Sequence, residues 1–250
     1  MFIKRLPHLA LPVLATWIAL TASPAIANPV TIVAPGDLTN TEGNSNNCFP
    51  YICGAQRYQQ VFDASHFGGT SGTIDKLLYR VDGGSTQTFS NIYDLEIRLS
   101  HTTTTPATLS TTFANNIGGD ETLVLDDNAF VISGQGFGGA GPNPFNIVVD
   151  LINNFVYNGI DNLLLDIRLF SGGGGPQFDS SNRGINTDKM QRVWGNVNST
   201  IGSIGGDEGL VTAFVLVPVD VPEPDTLLLL GLGLLGLGLG WRYKSSLKTR

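Results

Sequence analysis

The stretch Tyr93-Asp94-Leu95-Glu96-Ile97-Arg98-Leu99 alternates apolar and charged residues without a break. A β-strand sends successive side chains to opposite faces, so this segment has one dry face and one wet face. The same period of two recurs along the chain. Thr73 to Val81 aligns Leu77, Tyr79 and Val81, and Phe145 to Leu151 aligns Phe145, Ile147, Val149 and Leu151. Leu163 to Phe170 sets Leu163, Leu165, Ile167 and Leu169 opposite Asp166 and Arg168, and Leu210 to Leu216 aligns Leu210, Thr212, Phe214 and Leu216. Shorter runs lie at Val30–Val33, Tyr58–Phe62, Thr122–Leu125, Ala129–Ser133 and Gln191–Trp194. No segment between Asn28 and Asp220 carries an apolar stripe of helical period. About ten short strands separated by turns predict an all-β fold, an antiparallel β-sandwich of the jelly-roll kind. Periodicity alone leaves a closed barrel open.

The chain has 31 glycines in 250 residues, which is above the ~7% usual for proteins. They fall between the strands. Asp82-Gly83-Gly84-Ser85 and Gly172 to Pro176 read as turns, and Gly134 to Pro144 as a longer loop. Ser100 to Thr112 has no apolar period and reads as loop or edge. Gly172 to Gly175 lacks the following lysine and helix of a phosphate-binding loop. Asn198-Ser199-Thr200 has the form of a glycosylation sequon and reads as a loop.

Both ends differ from the body. Lys4 and Arg5 precede an apolar stretch from Leu9 to Leu20, and Ala25-Ile26-Ala27 has the small-x-small pattern of a cleavage site. Residues 1–27 are therefore expected to be a signal peptide that signal peptidase removes, followed by one domain over 28–220. At the other end, Pro222 and Pro224 interrupt both ladder and helix. Leu227 to Gly240 then runs 14 residues without a charge. As a helix it covers roughly 21 Å, short of a ~30 Å hydrocarbon core. Its flanks decide the reading. Trp241 and Tyr243 suit an interface, and Arg242, Lys244, Lys248 and Arg250 are basic anchors that keep the tail cytoplasmic. A transmembrane helix over about 226–241 is expected, within a tail unit of 221–250.

Of the 14 Lys and Arg, two lie in the leader and four in the tail, while all 21 Asp and Glu lie between Asn28 and Asp225. That stretch carries a net charge of −13. Phosphate backbones are repelled by such a domain, so nucleic acid is not an expected partner. Cys48 and Cys53 are the only cysteines. In an oxidising compartment, a disulfide between them is expected over two free thiols. The pair is too small a ligand set for structural zinc.

Catalytic motifs are missing. His66 sits near Asp63 and Ser65, but no nucleophile elbow accompanies it. The acid pairs Asp120-Glu121, Asp126-Asp127 and Asp207-Glu208 read as solvated loops. No cofactor is expected, with calcium as the one group the hard-oxygen residues suit. Its candidate contributors are Asp126-Asp127-Asn128 and the stretch from Asp179 to Asn182.

Val221-Pro222-Glu223-Pro224, the Leu/Gly-rich segment and the Arg-bearing end together resemble the PEP-CTERM sorting signal of bacterial exported proteins. The resemblance implies that exosortase, an integral-membrane enzyme like a cysteine protease, processes the chain near Pro-Glu-Pro. It further implies transient anchoring in the cytoplasmic membrane, then transfer to the cell surface or extracellular matrix. The body resembles a recurrent PEP-CTERM ectodomain with no known biochemical activity. The residues carrying this are Arg57 to Ser65, Phe113 to Gly118 and Asn162 to Arg168, and none transfers a site.

Two functions are expected to compete. One is a non-catalytic surface or matrix protein that binds polysaccharide or another protein; Tyr51, Tyr58, Tyr157 and Trp194 are candidate sugar platforms, although a core position is the expected place for each. The other is a secreted glycoside hydrolase, or related hydrolase, that uses two carboxylates in a deep cleft.

Overall fold

The computed structural model describes residues 28–218 and three helical positions further on, Gly231, Gly233 and Leu234. The expected signal peptide, residues 1–27, lies outside the described residues. So do the Pro-Glu-Pro motif, the basic anchors and, apart from those three positions, the apolar run. No helix among the described residues is long and apolar enough to cross a membrane.

Twelve strands make up the body: β1 (Val30–Ala34), β2 (Ser45–Asn47), β3 (Gln56–Phe62), β4 (Gly72–Tyr79), β5 (Thr88–Thr102), β6 (Thr122–Gln135), β7 (Ile147–Tyr157), β8 (Asn162–Ser171), β9 (Phe178–Ser181), β10 (Met190–Gly195), β11 (Gly209–Leu210) and β12 (Thr212–Val217). They form a four-stranded sheet in the order β1-β12-β4-β7 and a five-stranded sheet in the order β10-β3-β8-β5-β6. A small third sheet, β11-β9-β2, stands beside them. Every pairing is antiparallel.

Set aside β2, β9, β10 and β11, and eight successive strands remain. One sheet then reads first, eighth, third, sixth, and the other second, seventh, fourth, fifth. This is the interleaved order of a jelly roll, so the fold expected from the alternation is the one observed.

The alternation builds the core. Leu95, Ile97 and Leu99 of β5, Leu77 and Tyr79 of β4, Ile147 and Val149 of β7, and Phe214 and Leu216 of β12 are all fully buried between the sheets. β8 departs from simple alternation, because Leu163, Leu164 and Leu165 are buried in succession. The reason is a second apolar layer outside the five-stranded sheet. There, Leu164, Val61 and Val193 meet Leu109 and Phe113 from the segment between β5 and β6. Arg57 and Asp166 pair beneath this cover, at 3.0 Å from Nε to Oδ1, and the Arg57 guanidinium lies 4.7 Å from the Phe113 ring centre.

Some boundaries differ from the sequence reading. Thr122–Leu125 and Ala129–Ser133 are one strand, β6, with a register shift where Leu95 faces Asp127 and Tyr93 faces Phe130. The extra residues are absorbed as a bulge, which a two-residue period cannot register. Phe145 lies before β7 and covers the outer face of the other sheet, beside Leu78. The facing edges β6 and β7 are tied by side chains: Asn153 Nδ2 donates to Leu123 O at 3.0 Å, and Asn146 Nδ2 to Gln135 O at 2.8 Å. Such ties protect edges that would otherwise be open to another chain.

A carboxylate cluster at the glycine-rich end

The turns after β4, after β6 and after β8 gather at one end of the sandwich. The polypeptide leaving β4 continues as an extended segment against β9. Asp179 N–H donates to Arg80 O at 3.1 Å, and Asp82 N–H to Gln177 O at 2.9 Å. β2 pairs with β9 from the other side, with Asn46 facing Asp179. Three distant parts of the chain thereby meet, and carboxylate oxygens of Glu42, Asp82 and Asp179 all lie within 4.8 Å of one another.

Arg80 organises the cluster. It is almost wholly buried, and its Nε reaches Asp179 Oδ2 at 2.6 Å. Its Nη2 also donates to Leu38 O at 2.9 Å and Thr41 O at 2.6 Å, and its guanidinium lies 4.7 Å from the Phe145 ring centre. Arg80 thus pins the segment that carries Glu42. Asp179 Oδ1 accepts from Gly43 N–H at 2.9 Å, and Glu42 Oε1 from Gly83 N–H at 2.5 Å. Glu42 Oε2 is buried and has no hydrogen-bond partner among the described residues.

The guanidinium pairs with one of the three acids, Asp179. Burial pushes the Asp179 carboxyl up to about 6, with Glu42 adding to the rise and Arg80 opposing it. Burial and Glu42 also raise Asp82. Burial and a neighbouring carboxylate both disfavour the charged form of these two acids, which a cation would offset. Calcium takes six to eight oxygens at about 2.3–2.6 Å, so ligands around one ion stand up to roughly 5 Å apart. The cluster's span, its all-oxygen chemistry and the orphaned Glu42 Oε2 fit that ion. Glycine keeps the space open. A Cβ on Gly141, where φ is +76°, would sit 2.0 Å from Glu42 Oε2.

Only Asp179 among the calcium candidates read from sequence belongs here. Asp126, Asp127 and Asn128 lie in β6, where Asp126 faces Glu96 and Asp127 Oδ1 accepts from Ala129 N–H at 2.8 Å. They are not brought to Asp179. Glu42 and Asp82 went unmarked, because nothing in the local sequence links positions so far apart.

The remaining candidates are structural in their contacts. Cys48 and Cys53 are joined in a disulfide, with Cα atoms 5.3 Å apart. Tyr51, Tyr58 and Tyr157 are fully buried, which removes them as sugar platforms. Trp194 is half-buried, stacked on Phe49 with ring centres 5.1 Å apart and lying under the Arg192 guanidinium. His66 Nε2 lies 3.0 Å from Lys189 O, while Ser65 Oγ accepts from Lys189 Nζ at 3.3 Å, so His66, Asp63 and Ser65 are not arranged as a triad. His101 has Nδ1 against Asp120 at 2.5 Å, and Nε2 accepts from Asn158 N–H at 3.0 Å. Asp207 accepts from Gln191, and Glu208 from Ser180, Ser45 and Arg192.

A family model of the PEP-CTERM protein-sorting motif matches residues 220–245, beginning three residues after β12 ends. The match takes in Val221 to Pro224 and the basic residues Arg242 and Lys244, while Lys248 and Arg250 lie beyond it. The chain thus carries a PEP-CTERM sorting motif, which implies export, C-terminal membrane anchoring and processing by exosortase. No curated protein and no solved structure matches the chain.

Proposed function

We propose that this chain is a non-catalytic surface or matrix protein that exosortase releases from its membrane anchor, and that its glycine-rich end is held together by calcium. The sorting motif directly after the last strand carries the first part. Signal peptidase and an exosortase-like enzyme are then its processing partners, acting at Ala27 and near Pro222-Glu223-Pro224. Glu42 Oε2, buried and without a donor, supports the second part. Glu42, Asp82 and Asp179 would hold the ion, with backbone carbonyls or water filling its remaining positions. The ion would supply charge balance and fix three loops, which is a structural role.

Following the chain in cells tests the sorting. Deletion of residues 221–250 is expected to abolish membrane retention and the mass change of processing. Unchanged localisation and mass would sink this reading. Calcium is tested with full-length protein in detergent micelles. Adding calcium to chelator-treated protein should raise Tm, magnesium should do so less, and Glu42→Gln should abolish the shift.

A carboxylate-dependent hydrolase competes. Glu42 and Asp82 border one hollow, and Asp82 has a raised pKa. Against it, one oxygen of Glu42 is tied to Gly83 and both oxygens of Asp179 are held by Gly43 and Arg80. Release of reducing ends from a polysaccharide, lost in Glu42→Gln, would favour the hydrolase.

A further inference from the structure

Two hollows adjoin at the glycine-rich end, of about 340 Å³ and about 490 Å³. They share Asp82, Gly83 and Gly84, so together they form one elongated groove. Among the described residues, no lysine or arginine lines either of them. Thr86, Gln87 and Gln177 border the larger hollow and are exposed. Their neighbourhood is fixed by the main chain: Gly136 N–H donates to Gln87 O and Asp82 N–H to Gln177 O, each at 2.9 Å. The two side-chain amides and the hydroxyl each offer a donor and an acceptor, the pairing that sugar hydroxyls require.

An exposed aromatic lies in the loop beside the groove, two residues before Gly139, which lines the smaller hollow. Phe137 is 60% exposed, far more than the other phenylalanines of the sandwich. Its N–H donates to Asn143 Oδ1 at 2.8 Å, and the next residue, Gly138, donates to Ser85 O at 2.8 Å. The ring is thereby held by a loop that is bonded to the groove wall. Such a ring offers an apolar face to a sugar at small entropic cost.

We propose that this groove binds an uncharged polysaccharide, with Phe137 stacking on a sugar ring and Thr86, Gln87 and Gln177 bonding its hydroxyls. The proposal rests on the non-catalytic surface reading and gives that reading a ligand class. Glu42 and Asp82 border the smaller hollow, and the groove lining offers no cation to pair with the carboxylates of a uronate polymer.

The test uses full-length protein in detergent micelles with calcium present, titrated with dextran, mannan, mixed-linkage β-glucan and polygalacturonate. At least one neutral polymer is expected to bind, with polygalacturonate weaker than all that do. The double variant Gln87→Ala/Gln177→Ala and the single variant Phe137→Ala should each weaken binding about tenfold at unchanged Tm. These side chains are exposed, so folding is preserved. Failure of every neutral polymer to bind, equal binding by the variants, or preference for polygalacturonate would overturn the proposal. The calcium-induced Tm shift and reducing-end release are read on the same samples. If the shift is intact and no polymer binds, the groove alone is wrong. Release of reducing ends from a bound polymer keeps the groove and overturns the non-catalytic reading.

Discussion

Arg80 Nε and Nη2 both lie 2.6 Å from one oxygen of Asp179, Oδ2. Both side chains are essentially inaccessible to solvent, at 1% and 0% exposure. A buried guanidinium therefore holds one acid of a three-acid cluster, and the loop carrying a second acid hangs from the same group.

Removing Arg80 should be among the costliest single changes at this end. Arg80→Ala leaves a buried carboxylate without its counter-charge and strands the carbonyls of Leu38 and Thr41. A loss of about 3–5 kcal/mol is expected in denaturant titration. Asp179→Asn should cost less, because it removes charge from an over-acidic cluster. A smaller loss for Arg80→Ala than for Asp179→Asn would contradict this account.

Acidity should matter most in calcium-free protein. The Asp179 carboxyl is raised from 3.8 to about 6, so in that interval the folded state holds the proton more tightly than the unfolded state. Stability from this group is greatest in acid and declines as pH rises from about 4 to about 6. In EDTA, Tm of the wild type relative to Asp179→Asn should fall across that interval, and calcium should flatten the difference. A parallel pair of Tm curves would refute the assignment.

Gly141 should be sensitive for a reason visible only in three dimensions. A methyl group there presses on Glu42 Oε2, and its φ of +76° disfavours any side chain. Gly141→Ala is expected to cost about 1–3 kcal/mol and to blunt the calcium-induced Tm shift. Gly139→Ala, with φ of +90° but nothing within 4 Å of its Cβ, should leave that shift intact.

Phe113 anchors the outer layer over the five-stranded sheet. Phe113→Ala removes a fully buried ring and the face beneath Arg57. A destabilisation of about 3–5 kcal/mol is expected in urea titration. The calcium shift should persist, because the cluster lies elsewhere.

The large strands were legible because each has one buried and one wet face. β5 and β8 could be read from Leu95, Ile97, Leu165 and Ile167 alone. β2 and β9 were not legible. Ser45-Asn46-Asn47 and Phe178-Asp179-Ser180-Ser181 are polar, and they are strands because neighbouring backbone completes their hydrogen bonds. The cluster was legible only at Asp179. Glu42 and Asp82 join it through the pairing of β2 and the segment after β4 with β9, a long-range consequence of topology that no local pattern encodes. Tyr51, Tyr58 and Tyr157 are fully buried, which is the core reading that competed with a sugar platform for each of them.

The last strand, β12, lies between β1 and β4, near the beginning of the domain in sequence. The four-stranded sheet therefore stays open until nearly the whole domain has emerged. For an exported chain this separates transport from assembly. While the polypeptide is threading, the slot between β1 and β4 is vacant and the jelly roll cannot close. Once Thr212–Val217 has crossed, the sorting segment follows within a few residues. Completion of the fold and arrival of the address thus fall at nearly the same moment of biogenesis, and a chain truncated before β12 would reach the outside with an unfilled seam.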